Sequence, residues 1–152
     1  MDIDPSGSNH VPYQCGRLLA HLDLIRRATD GDSAIGTTCF QTAAAMPAPV
    51  LGSLLGLSWR DLSTIRGNTK RTSRDADLLE QRLATILDDL GALFPETLDR
   101  SEQGAFAVGF YQERAVARSV SDAARHSRSV SVEDAVLREA TIDGASVVLD
   151  DL

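Results

Sequence analysis

The stretch Ser101–Arg114, SEQGAFAVGFYQER, decides how this chain is read. Just before it stands Asp99, followed three residues later by Glu102. That pair can satisfy two free helix N–H groups reciprocally, so a long helix over about 100–126 is expected. Yet the stretch contains Gly104 and Gly109, and three of the chain's six Phe and Tyr residues. At about 100° per residue, Gly109 falls beside Ala105, Phe106, Val116, Val120, Ala123 and Ala124, the expected core face. A glycine there costs about 1 kcal/mol of helix propensity relative to alanine, which a close approach by a second helix would explain. Gly104, Phe110 and Tyr111 fall off that face, and they are the residues expected to pack against another subunit.

Further helices emerge on working outward. Residues 13–29 place Leu18, Leu22 and Ile25 on one face, extended by Cys15 and Leu19, and the DGD at 30–32 ends the run. Residues 33–46 are ambiguous, with a short helix over 42–46 as one reading. Pro47 and Pro49 introduce a helix over about 50–66 that aligns Leu51, Leu55, Leu62 and Ile65. Gly52 and Gly56 lie four apart on it and admit close contact with another helix. GNTKRTS at 67–73 reads as a polar, basic loop, with Ser73 capping a helix that aligns Leu79, Leu83, Ile86 and Leu90, and Gly91 at its C′ position. The expected fold is all-α: a helical bundle of four to five helices with an acidic C-terminal appendage. Residues 1–12 are expected to be a flexible leader, 13–128 the bundle domain, and 129–152 an acidic tail. The tail reads as a short helix or as a hairpin turning at Asp143-Gly144.

Composition narrows the function. With 43% hydrophobic and only 5% aromatic residues, mostly Leu and Ala on the apolar side, the 152-residue chain suits one helical domain. There is no apolar run long enough to span a bilayer and no basic-then-apolar opening, so a cytoplasmic protein with reduced thiols and no membrane association is expected. His10, His21 and His126 are scattered, and Cys15 and Cys39 form no CxxC pair, so neither metal nor cofactor is expected. The adjacent pairs Asp88-Asp89 and Asp150-Asp151 point to different helix faces, and no nucleophile or phosphate-loop motif occurs. The chain is therefore read as non-catalytic.

The net charge of −7 is unevenly spread: residues 130–152 hold −5 of it. Two basic clusters stand out from the nearly neutral remainder. Arg66, Lys70, Arg71 and Arg74 surround the polar segment, while Arg114, Arg118, Arg125 and Arg128 align along the last helix beside its aromatics. Both are candidate nucleic-acid contacts: cations for phosphates, with neighbouring rings for bases.

With those residues in view, EQGAFAVGFYQER resembles a motif near the C-terminus of the large subunit of type I-C CRISPR Cascade, through Glu102, Gln103, Gly104, Phe106, Gly109 and Tyr111. Val108, Phe110, Gln112 and Glu113 depart from it. YQCGRLLAHLDLIRR is similar to a second segment of that family through Tyr13, Gly16, Arg17, Leu18, Ala20 and Leu22, and FPETLDRSEQG to a third through Phe94, Pro95 and Leu98. The three occur in the same order and cover about residues 12–118. The resemblance implies a non-catalytic small subunit of a crRNA-guided complex in antiviral defence, equivalent to the large subunit's C-terminal helical region. Its implied partners are the large and backbone subunits, other copies of itself, the crRNA–target DNA duplex and the displaced DNA strand held in the R-loop. The other reading is a helical adaptor that binds protein through the acidic tail and never touches nucleic acid.

Overall fold

The computed structural model describes residues 10–68, 70–91 and 93–146. Among them are six helices and no strands: α1 His10–Asp30, α2 Ile35–Thr38, α3 Phe40–Ala45, α4 Pro47–Asn68, α5 Lys70–Leu90 and α6 Arg100–Ser146. Two compact units divide the chain, one ending at Ala115 and the other beginning at Val116.

In the first unit α1 is the central helix. It buries not one stripe but most of its circumference, from Gln14, Cys15 and Gly16 round to Leu22, Asp23 and Ile25, as expected of a helix enclosed by neighbours. Helices α4 and α5 pack on it and on each other. Leu51, Leu54, Leu62 and Ile65 of α4, with Leu83, Ile86 and Leu90 of α5, meet Leu18, Leu19, Leu22 and Ile25 in the core. Burying side chains of this size is worth about 1.5–3 kcal/mol each.

The helix ends follow local chemistry. Gly31 (φ 78°) ends α1, its N–H donating to the Arg27 carbonyl at 2.8 Å. Gly91 (φ 58°) ends α5 in the same conformation, donating to the Leu87 carbonyl at 3.2 Å. Pro47 and Pro49 sit in the first turn of α4, where no intrahelical donor is needed. Ahead of α6 the Asp99 N–H donates to Glu102 Oε2 at 2.8 Å, and the Glu102 N–H to Asp99 Oδ1 at 2.9 Å, a complete capping box.

Several sequence expectations are corrected. Helix α1 begins at His10, within the expected leader; residues 1–9 lie outside the described residues. The ambiguous segment holds two short helices, the first of them tied to α1 by the buried Asp23. Its Oδ1 accepts from Ser33 Oγ at 2.8 Å and the Gly36 N–H at 3.1 Å, and Arg27 bridges its Oδ2 at 3.2 Å. The polar loop is much shorter than expected: α4 continues to Asn68 and α5 starts at Lys70, so Ser73 is inside a helix rather than capping one. Gly52 and Gly56 are exposed on α4, and a Cβ at either would meet nothing within 4 Å, so no helix among the described residues uses them.

In the second unit α6 continues as helix through Asp143 and Gly144 to Ser146, where a hairpin turn is one of the expectations. The run from Val116 contains no proline, and nothing before Gly144 interrupts it. Val116 and Val120, expected in the core, are 47% and 65% exposed, because the apolar face of α6 continues past the last residue of the first unit.

Candidate functional site

Helices α1 and α6 cross at two glycines. A Cβ on Gly16 would strike the Phe106 carbonyl oxygen, and one on Gly109 would strike the Tyr13 carbonyl oxygen. Each backbone fills the notch that the other's missing side chain leaves. Tyr13 Oη donates to Gln112 Oε1 at 2.5 Å across the same crossing.

One turn beyond Gly109 lies Glu113, a buried carboxylate that joins three helices. Arg82 of α5 reaches it with two N–H groups, Nε to Oε1 and Nη2 to Oε2, both at 2.8 Å. Arg17 of α1 donates Nε to Oε2 at 3.3 Å and Nη1 to Gln14 Oε1 and Asp89 Oδ2, at 2.8 and 3.1 Å. Burial alone would push the Glu113 carboxyl up. The hydrogen bonds and charge of Arg82, and then of Arg17, overcome this and hold it below the usual carboxylate range. His21, one turn along α1 from Arg17, is also buried. Its Nε2–H donates to the Leu79 carbonyl at 2.8 Å, and burial holds its pKa below the ordinary histidine value. Cys15 is fully buried in the core, its thiol pushed up to about 12 by burial. Both cysteines are free. Among the described residues no group of His, Cys, Asp and Glu is placed to hold a metal ion.

Phe110 is not a surface residue. It is 1% exposed and packs edge-on to Phe40 of α3, ring centroids 4.9 Å apart, with Phe106 also against Phe40 at 5.6 Å. The short helices α2 and α3 carry Phe40 onto the flank of α6 that periodicity leaves uncovered. Tyr111 is 61% exposed, and Gly104 is open, since a Cβ there would meet nothing within 4 Å. Both agree with their place off the core face.

The basic residues are dispersed. Arg66 is bound to Asp77 at 3.0 Å and to Glu80, so its charge is already neutralised within the chain, though it stays exposed. Arg74 is exposed in the first turns of α5. The side chains of Lys70, Arg71 and Arg128 lie outside the described ones. Arg114 lies over the Phe110 ring, 5.5 Å from its centroid. In the second unit Arg118 and Arg125 carry the line of cations onward, Arg125 exposed and standing 3.8 Å from Asp122.

The segments meeting at the crossing, 13–22 and 102–113, are two of the three on which the family resemblance rests. A family model described as CRISPR-associated protein (Cas_Csd1) matches residues 1–117. The chain belongs to that family. No curated protein matches it. The Cas_Csd1 match ends two residues past Ala115, the last residue of the first compact unit, so the family's region and the packed helical core nearly coincide. In this Cas_Csd1 chain none of the helices, among the described residues, is long and apolar enough to cross a membrane. Sequence reasoning misses the Glu113 hub, although its spacing from Phe106, Gly109 and Phe110 puts a carboxylate on the core face. Such a placement requires a buried cationic partner.

Proposed function

We propose that this chain is the non-catalytic small subunit of a crRNA-guided type I-C CRISPR complex in the cytoplasm. There it braces the assembly and helps hold the guide–target duplex and the displaced DNA strand. The observation that carries the reading is the family match over 1–117, which covers a helical unit closed by two of the three segments the resemblance rests on. Sequence would be read by guide pairing, while the protein supplies shape and charge. On this reading the nucleic-acid contacts come from cations that no acid holds tightly. Arg74, Arg118 and Arg125 are the candidates, with Lys70, Arg71 and Arg128 beside them in sequence. Arg66 contributes least, because Asp77 and Glu80 hold it.

Co-expression with the other complex components and a guide RNA tests assembly, and a chain that never co-purifies with them ends the reading. The cations are tested by Arg71→Ala with Arg74→Ala in the assembled complex. If each base neutralises one phosphate of a single strand, the log–log salt slope of target binding becomes shallower by about 1.4. The loss is then greatest at low salt. Unchanged binding at every salt concentration would remove this cluster, and assembly with no effect from either cluster would leave a protein-binding adaptor.

A further inference from the structure

The side of α6 turned away from the Gly109 crossing sets cations on either side of a fixed ring. At 100° per residue, Arg100, Ala107, Tyr111 and Arg114 fall within an arc of about 60°. The two carboxylates of this part of the helix, Glu102 and Glu113, lie well outside that arc. Glu102 closes the capping box with Asp99, and Glu113 is turned inward to Arg82 and Arg17. The segment packed beside Tyr111 adds no acid either, since every residue from Ser33 to Trp59 is uncharged. Among the described residues no acid pairs with Arg100 or Arg114. Positive charge therefore stands unopposed at both ends of a flank about 21 Å long.

The ring between those ends is exposed yet held. Tyr111 is 61% exposed, set edge-on to Phe110 with centroids 5.3 Å apart and tilted against Phe40 at 6.0 Å. Arg114, on the next turn, lies over the Phe110 ring, 5.5 Å from its centroid. A ring fixed by its neighbours loses little further freedom when something packs on it. An open aromatic face between cations suits a nucleic-acid strand, whose base stacks on the ring while its phosphates meet the arginines. A protein helix would have to bring a carboxylate to each end of the flank. A polyanion supplies both through its own repeat.

We propose that Tyr111 is a stacking platform for an unpaired base of a single DNA strand, with Arg100 and Arg114 taking phosphates on either side. Stacking needs a base whose face is free, which excludes a duplex. The inference rests on the assembly reading above, in which guide and target strand are paired with each other. The displaced strand is then the one that offers free bases. Every base has a face to stack, so the site holds that strand without reading its sequence. Tyr111 thereby belongs to nucleic-acid contact rather than to subunit packing.

The test uses the co-expressed complex with guide RNA, bound to targets whose displaced strand carries iodouracil in place of thymine. Light joins that base to an aromatic ring stacked on it, and an adduct at Tyr111, located by mass spectrometry, is expected. Tyr111→Phe should keep the adduct and the affinity, while Tyr111→Ala should lose the adduct and weaken target binding roughly tenfold. Arg100→Gln with Arg114→Gln should make the log–log salt slope shallower by about 1.4. The crosslink to the unsubstituted chain decides the matter even where a variant folds poorly. No adduct at Tyr111 overturns the proposal while leaving the assembly reading intact. So does wild-type binding by Tyr111→Ala, and so does loss of a folded Tyr111→Ala chain from the complex, which would mark a protein-docking surface. Absence of the wild-type chain from the complex overturns both.

Discussion

Gly109 and Gly104 lie five residues apart on one helix and do opposite things. At Gly109 the missing side chain is filled by the backbone of α1, and at Gly104 no described atom fills it. The first glycine belongs to folding and the second is available for assembly. A helix whose two sides serve different purposes can be broken on either side separately, and the sizes of the effects should separate the roles.

The largest effect is expected at the filled notch. Gly109→Ala drives a methyl group into the Tyr13 carbonyl, and backbone cannot yield as a flexible side-chain end can. Destabilisation of about 3 kcal/mol or more is expected in denaturant melts, and similarly for Gly16→Ala. The two sites share one crossing, so the double substitution should cost less than the two separate losses combined.

Next comes the hub one turn away. Glu113→Gln leaves Arg82 and Arg17 facing a neutral group and should cost about 2–3 kcal/mol at pH 7. The folded-state pKa of Glu113 is held below its unfolded value. Its contribution is therefore complete above about pH 4.3 and lost as the pH falls through the folded value. Wild type and Glu113→Gln should converge in acid, and a stability difference unchanged by pH would show that the loss is steric rather than ionic. The smallest effect, of opposite sign, is expected at the open notch. Gly104→Ala should raise the stability of the isolated chain by about 0.5–1 kcal/mol, read from the same melts. A loss there would mean that the outward side also carries the fold.

The parts of this fold legible in sequence are those set by neighbouring residues. Asp99 and Glu102, Gly91, and the Leu faces of α1, α4 and α5 depend on contacts within a turn or two, so periodicity and capping chemistry reach them. Phe110 escapes that logic because its burial is decided by Phe40, some 70 residues earlier in a segment with no clear period. The Gly52–Gly56 pair shows the reverse: spacing that permits close approach does not require a partner within the chain. For the site, Tyr111 and Gly104 are legible as outward-facing residues. Arg66 is not, because a cation's availability depends on which acids fold beside it, and here Asp77 and Glu80 come from the next helix. Family membership is readable from Tyr13, Gly16, Arg17 and the 102–111 stretch, though not that these two segments form one contact.

Cys15 gives the enclosure of α1 a clock. Its side chain is wholly enclosed in the core of the first unit, and with a pKa of about 12 almost none of it is thiolate at neutral pH. An alkylating reagent can reach it only during the moments when α1 lets go. The rate at which native protein takes up such a label therefore counts those separations directly, and a chain locked into a larger assembly would be marked more slowly than the same chain alone.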